Sequence, residues 1–211
     1  MGGMSKERIA FIGIGVMGKS MAGHLLAAGY PVSVYNRTKS KADDLVARGA
    51  EWRESPADAA ADADVVITIV GFPQDVEETY FGPQGIFQTL ESGGLVIDMT
   101  TSSPVLAKRI ADEATKREIG CLDAPVSGGD LGAREARLSI MVGGEEADFE
   151  RAKTLFEIMG KNIHLQGPAG AGQHTKMSNQ IAIAAGMVSI AESLAYAKAS
   201  GLDPKRVLMS I

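Results

Sequence analysis

Short apolar runs alternate with longer stretches of mixed polarity through the first three quarters of the chain. Ile9-Ala10-Phe11-Ile12, Val32-Ser33-Val34-Tyr35, Val65-Val66-Ile67-Thr68-Ile69-Val70, Leu95-Val96-Ile97-Asp98 and Leu138-Ser139-Ile140-Met141-Val142 read as strands, with Ile163-His164-Leu165 a shorter one. The run Val65–Val70 is continuously β-branched, and apolar apart from Thr68, as a parallel strand buried on both faces requires. Helical spacing appears between these runs at Met21, Leu25 and Leu26, over Lys39–Arg48 before Gly49, from Ser55-Pro56-Ala57-Asp58, from Pro104 to about Arg117, and over Glu145–Met159. Strand alternating with helix predicts an α/β fold with a doubly wound, mainly parallel sheet. Four of the six residues Gly167–Gly172 are glycine or proline, and the pattern then becomes purely helical. From Gln173 to about Ser200 only Gly186 interrupts, a span of about 28 residues or about 40 Å, which suggests a connecting helix. Asp203-Pro204 opens a further helix before the chain ends at Ile211. The expected division is therefore residues 1–168 and residues 169–211.

The turn after the first strand, Gly13-Ile14-Gly15-Val16-Met17-Gly18, gives that architecture a chemistry. Strand, G-x-G-x-x-G and helix in succession make a dinucleotide site: the first glycine permits the tight turn, the second leaves room for a pyrophosphate, and the third lets helix and strand pack closely. The helix N-terminus adds unpaired N–H groups and partial positive charge. Residues 1–168 thus read as an NAD(P)-binding Rossmann domain. At the end of the second strand, Asn36-Arg37-Thr38 stands where an NAD enzyme typically offers a carboxylate to the ribose 2′-OH. Neutral Asn36 and cationic Arg37, with Lys41 nearby, favour NADP(H), with NAD as the alternative coenzyme. The Gly71-Phe72 loop is expected to border the adenosine or its ribose, or to be a turn with Phe72 in the core. Of the hydroxyls after Asp98, Thr101 is assigned to the coenzyme and Ser102 and Ser103 to capping the following helix.

Composition narrows the rest. A net charge of −5 over 211 residues argues against a nucleic-acid or anionic-membrane surface. Cys121, the one cysteine, cannot form an intrachain disulfide, which fits a reducing compartment such as the cytoplasm. No run reads as long and apolar enough to span a membrane, since Gln180, Ser189 and Glu192 interrupt or bound residues 181–191. Met1 to Ser5 read as a disordered start. The expected partners are a small-molecule substrate and further copies of the chain through the long helix, where Ile181, Ile183, Ala184, Met187 and Val188 form an apolar stripe.

Two later stretches carry candidate chemistry. Ser127-Gly128-Gly129 is a second glycine-rich turn; it either holds a small anion on backbone N–H groups and one hydroxyl, or is an ordinary turn. Lys176 lies close after the Gly167–Gly172 hinge, where the helix dipole and partial burial lower an amine pKa. Moving a hydride to or from a hydroxyl-bearing carbon needs a group that exchanges the hydroxyl proton, and Lys176 is the candidate. Asn179 and Gln180, at i+3 and i+4, share its face and can hold a substrate. His24 and His164 have no acidic or cysteine partners at metal-ligand spacing, so no metal site is expected.

Together Gly13–Gly18, Asp98-Met99-Thr100-Thr101, Asp123-Ala124-Pro125-Val126-Ser127-Gly128-Gly129 and Gly170-Ala171-Gly172-Gln173-His174-Thr175-Lys176 resemble the β-hydroxyacid dehydrogenase family. That group includes the 3-hydroxyisobutyrate dehydrogenases, the tartronate semialdehyde reductases and the glyoxylate/succinic semialdehyde reductases. The resemblance implies NAD(P)-dependent, metal-free interconversion of a short 3-hydroxy acid and its semialdehyde. It implies that Lys176 is the catalytic lysine and that Ser127, Gly128 and Gly129 form the substrate-carboxylate loop. It also implies that residues 169–211 are the interdomain helix and the start of an all-helical C-terminal domain that closes the pocket and builds a dimer. A chain ending there is expected to be either an enzyme fragment or an NADP(H)-binding module with little turnover. Two departures stand out: Ala136-Arg137-Leu138 replaces the family's Gly-Thr-Leu step, which is expected to alter substrate choice, and Gln180 replaces an asparagine.

Overall fold

The structure is a computed structural model that describes residues 6–211; the expected disordered start at Met1–Ser5 lies outside the described residues. The chain divides into two compact units, one ending at Lys176 and the other Met177–Ile211.

The first unit is built on a sheet of β1 (Ile9–Ile12), β2 (Val32–Tyr35), β3 (Glu51–Trp52), β4 (Val65–Thr68), β5 (Leu95–Asp98), β6 (Gly120–Asp123), β7 (Val126–Ser127), β8 (Leu138–Gly144) and β9 (Gly160–Gly167). Their order is β3-β2-β1-β4-β5-β6-β8-β7, with β9 paired to β8. β1 through β6 are parallel; β8 runs antiparallel to β6 and β7, and β9 parallel to β8. Ala124-Pro125 separates β6 from β7, since proline offers no N–H to the ladder, yet Pro125 still accepts from the Met141 N–H at 3.0 Å.

Helices α1 (Gly18–Ala27), α2 (Asp43–Ala47), α3 (Pro56–Ala60), α4 (Pro73–Phe81), α5 (Pro104–Lys116), α6 (Gly129–Arg134) and α7 (Glu146–Met159) cover the sheet. Strand side chains alternate between two cores. Ile9, Phe11, Ile67 and Ile97 pack with Met21 and Leu25 of α1 and Phe156 of α7. Ala10, Ile12, Val66 and Val96 pack with Tyr80 of α4, Phe87 and Ile110 of α5. Burial on both faces is why these strands have no polar side.

The doubly wound, mainly parallel sheet is as the sequence predicts, and α5 and α7 fall within one residue of expectation. β4 stops at Thr68, two residues early, because its neighbour β1 turns away at Gly13 after the pair Ile12↔Thr68. Lys39–Ala42 forms a tight 3₁₀ turn before α2. Ser55 caps α3 by accepting from the Asp58 N–H at 3.0 Å. The helices α4 and α6 and the strands β3, β6 and β7 were not anticipated.

α8 (Ala171–Ala199) begins in the first unit and runs through the second, which ends with α9 (Pro204–Leu208), capped by Asp203 on the Lys205 N–H at 3.0 Å. One expectation is corrected here. α8 is long and apolar enough, by length and composition, to cross a membrane: an 18-residue window has mean hydropathy 1.3, with 6% of that window buried. Gln180, Ser189 and Glu192 lower that mean, but the alanines, isoleucines, methionine and valine around them keep it high. Ile181, Ile183, Met187, Val188 and Ile190 are all exposed, and at 3.6 residues per turn they cover roughly half the circumference rather than a narrow stripe.

Ala136, between α6 and β8, holds φ at 52°, a left-handed conformation that a Cβ disfavours by about 1 kcal/mol or more. Its neighbour Arg137 is paired with Glu135 on the surface. Ala136→Gly should therefore raise urea-unfolding stability by about 0.5–1 kcal/mol, after the added freedom of the unfolded glycine; a loss of stability would show that this backbone is not under strain.

Candidate functional site

The sheet order reverses between β1 and β4, and the crevice beyond their carboxyl ends is where open α/β sheets bind ligands. The turn Gly13–Gly18 forms one wall. Its three glycines do different things. Gly13 has φ of 102°, and a Cβ there would overlap the Ile69 carbonyl. A Cβ on Gly18 would overlap the Gly13 carbonyl oxygen, so its absence sets the approach of α1 to the turn. Over Gly15, by contrast, a Cβ would meet nothing within 4 Å. Protein packing demands the first and third glycines, and the free space above Gly15 admits an external group to the backbone. Ile14 is buried, Val16 is exposed and Met17 is the N-cap position of α1. Among the described residues the N–H groups of Gly15, Val16 and Met17 have no acceptor, which suits a phosphate.

A cavity of about 620 Å³ continues from this turn. Gly13, Gly15, Asn36, Arg37, Lys41 and Gly71 line it, together with Tyr35, Pro56, Asp75, Glu78 and the stretch Gly82-Pro83-Gln84. The Asn36 amide is engaged by backbone: Oδ1 accepts from the Ile14 N–H at 2.9 Å and Nδ2 donates to the Thr38 carbonyl at 2.9 Å. It thereby ties the glycine turn to the end of β2. Thr38 precedes the 3₁₀ turn and does not line the cavity. Arg37 is 77% exposed and donates to Asp75 at 2.8 Å. Phe72 is exposed at the start of α4, not in the core.

On the other side of β4 lies a buried polar network. The Asp98 Oδ1 accepts from the Thr68 hydroxyl at 2.8 Å and the Thr100 N–H at 3.1 Å, and Thr68 contacts the Tyr80 hydroxyl at 3.1 Å. The Thr100 hydroxyl accepts from the Val70 N–H at 3.0 Å. Burial pushes the Asp98 carboxyl up to about 6, against the downward pull of its hydrogen bonds. Burial also raises the Cys121 thiol, which leaves it a poor nucleophile. Thr101 is exposed beside this network. The two serines do not cap α5 as expected. Ser103 occupies the N-cap position without a side-chain bond, and among the described residues the buried Ser102 hydroxyl has no partner.

The start of α8 is locked to this region by two residues that sequence reasoning did not single out. Asp123, at the end of β6, accepts from the Gly170 N–H at 2.6 Å and the Gln173 N–H at 2.8 Å. Gln173 is buried; its Oε1 accepts from the Ser102 N–H at 2.8 Å and its Nε2 donates to the Thr100 carbonyl at 2.7 Å. Lys176 follows one turn later. It is 7% exposed, and burial alone lowers its amine from the ordinary lysine range, with no carboxylate opposing. Among the described residues it has no ion-pair partner. Ser127 is half-buried, and Gly128 and Gly129, exposed, hold φ of 132° and 62°, conformations open to glycine. Asn179 and Gln180 belong to the second unit, where the Asn179 amide donates to Gln180 at 3.1 Å.

Comparison with known proteins agrees with this geometry. Residues 8–167 match the family model described as the NAD binding domain of 6-phosphogluconate dehydrogenase. Residues 170–211 match the model described as NAD-binding of NADP-dependent 3-hydroxyisobutyrate dehydrogenase. An uncharacterized oxidoreductase of Bacillus subtilis is 57% identical over 98% of this chain and 72% of its own length. A probable 3-hydroxyisobutyrate dehydrogenase-like protein of Arabidopsis thaliana is 48% identical over 98% of this chain and 62% of its own. The solved Mycobacterium tuberculosis 3-hydroxyisobutyrate dehydrogenase with L-serine superposes with a TM-score of 0.88 at 35% identity, covering 94% of this chain and 67% of that one. The chain thus spans between 62% and 72% of these relatives.

The Asp98 network sets a pH dependence. Its folded pKa of about 6 lies above the ordinary 3.8, so the carboxyl favours the fold fully below pH 3.8 and that contribution is lost as pH rises through about 6. Asp98→Asn keeps an oxygen acceptor and removes the titration. The stability of the wild type minus that of the variant, from urea unfolding, should fall by roughly 2–3 kcal/mol between pH 4 and 7; parallel curves would contradict the assignment.

Proposed function

The chain belongs to the β-hydroxyacid dehydrogenase family, and we propose that its reaction is NADP(H)-linked interconversion of a short 3-hydroxy acid and its semialdehyde, with Lys176 exchanging the proton. The observation that carries this reading is a buried amine, unpaired among the described residues, one turn beyond a helix start latched to the loop after β5. The NAD(P)-binding fold is established by the family; the preference for NADP(H), the substrate and the catalytic assignment are the further steps.

The residues present fit a dinucleotide. Free N–H groups and open space at Gly15 suit the pyrophosphate, and Arg37 and Lys41 stand in the adjoining cavity where a 2′-phosphate would be met. When bound, the nicotinamide coenzyme supplies or accepts the hydride. The protein's own part is proton transfer and orientation. In reduction the Lys176 ammonium donates a proton to the carbonyl oxygen; in oxidation the neutral amine removes it from the hydroxyl. Burial lowers the pKa of this amine from the ordinary lysine range, which eases release of its proton. The backbone N–H groups of Ser127-Gly128-Gly129 receive the substrate carboxylate without adding a competing cation near Lys176. Asn179 and Gln180 contribute hydrogen bonds to the substrate, and Thr101 and Phe72 border the coenzyme. Self-association through α8 is supported by its exposed apolar surface; sedimentation of a monomer alone would contradict it.

Lys176→Ala should lower turnover of succinic, tartronic or methylmalonic semialdehyde by at least about 10²-fold while NADPH binding stays within a few-fold. Wild-type turnover in that variant would refute the role. Arg37→Asp should reverse a preference for NADPH over NADH, because a carboxylate repels the 2′-phosphate; equal wild-type affinity for both coenzymes would defeat the NADP(H) assignment.

A further inference from the structure

Arg37 does not stand alone in the cavity. Its guanidinium Nη1 donates to Asp75 Oδ1 at 2.8 Å, and both residues line the cavity wall. The two side chains are unlike in burial. Arg37 is largely exposed, whereas the Asp75 side chain is 20% exposed. The other oxygen of Asp75 accepts from the Phe72 N–H at 2.9 Å, which closes the first turn of α4. It also packs so closely on Gly71 that a Cβ at that position would overlap it. The carboxylate is therefore held on two sides and cannot swing out of the cavity without uncapping its helix.

We propose that Asp75 is a specificity-determining residue for the coenzyme: its fixed carboxylate engages Arg37 and moderates the selection of a 2′-phosphate. The inference rests on the NADP(H) reading of Arg37 and adds to it. A 2′-phosphate that reaches Arg37 meets a negative charge less than 3 Å from the same guanidinium. The carboxylate repels the phosphate and competes for the donor. Toward NADH the sign is opposite, because a carboxylate near the ribose accepts from a 2′-OH, the arrangement that Rossmann folds use to select NAD. Asp75 supplies from the start of α4 the charge that β2 lacks at Asn36-Arg37. The cavity is thereby balanced, with Arg37 and Lys41 facing Asp75 and Glu78, and the selectivity between the two coenzymes is smaller than Arg37 alone would produce.

The test is equilibrium binding, which does not depend on turnover. Dissociation constants for NADPH and for NADH are measured from the enhancement of nicotinamide fluorescence at fixed ionic strength. The proteins are the wild type, Asp75→Asn, Asp75→Ser and Arg37→Ala, each with a thermal melt. Asparagine and serine both retain an oxygen acceptor without charge, so failure of one to fold leaves the other. The expected result is an NADPH-over-NADH affinity ratio about two- to fivefold higher in the Asp75 variants, from an exposed charge interaction of ordinary size, and a collapsed ratio in Arg37→Ala. A ratio that does not rise in a folded Asp75 variant, while Arg37→Ala collapses it, overturns the role of Asp75 alone. A ratio unchanged in Arg37→Ala overturns the NADP(H) reading and this proposal with it.

Discussion

The placement of every group near the start of α8 depends on one carboxylate. Asp123 ends β6 facing a chain that returns nearly fifty residues later, and it accepts the Gly170 and Gln173 N–H groups that open the long helix. Burial raises its pKa while those backbone donors lower it, the balance expected of a charge taken into the interior to satisfy helix-end donors. Two glycines make the approach possible: a Cβ on Gly143 would overlap the Asp123 carboxylate, and one on Gly172 would overlap the carbonyls of Asp123 and Met141. The helix can begin hard against the sheet only because both are bare.

From that anchor the rest follows by short steps. Gln173, fixed through its own N–H, spends both ends of its amide on the Thr100–Ser102 backbone. The Asp98–Thr68–Thr100 network holds the same loop from the sheet side. The loop after β5 is thus pinned from two directions, and Lys176 lies one helical turn beyond the pin. Its burial lowers the amine pKa, and no neighbouring carboxylate restores it. On the opposite side of the crevice, Asn36 does similar work for the phosphate turn by bridging Ile14 and Thr38. Hydrogen-bonded supports around exposed backbone donors and one lowered amine are what proton transfer beside a bound dinucleotide requires.

Much of this was legible in the order of residues. Apolar runs without a polar side implied a parallel sheet, and G-x-G-x-x-G between strand and helix implied the phosphate turn, because both signals are local. What escaped was non-local or masked by an unusual residue. α4 went unread because its N-cap position is Phe72, whose cap is supplied instead by Asp75 three residues later. Asp123 and Gln173 appeared within quoted motifs, yet their partners lie far along the chain, and nothing near them in sequence points to a latch. The membrane-length character of α8 was missed because single polar residues look like interruptions, whereas the mean over 18 residues stays high in spite of them. The hydroxyls after β5 could not be apportioned from sequence, since capping and ligand contact call for the same residue types.

The most direct measurement is a crystal structure of this chain with NADPH bound. The account places the pyrophosphate on the Gly15–Met17 N–H groups, the 2′-phosphate beside Arg37, and the Lys176 amine on the nicotinamide side, within about 4 Å of where a substrate oxygen would sit. A coenzyme found away from the glycine turn, or a Lys176 amine turned from the nicotinamide into open solvent, would contradict it.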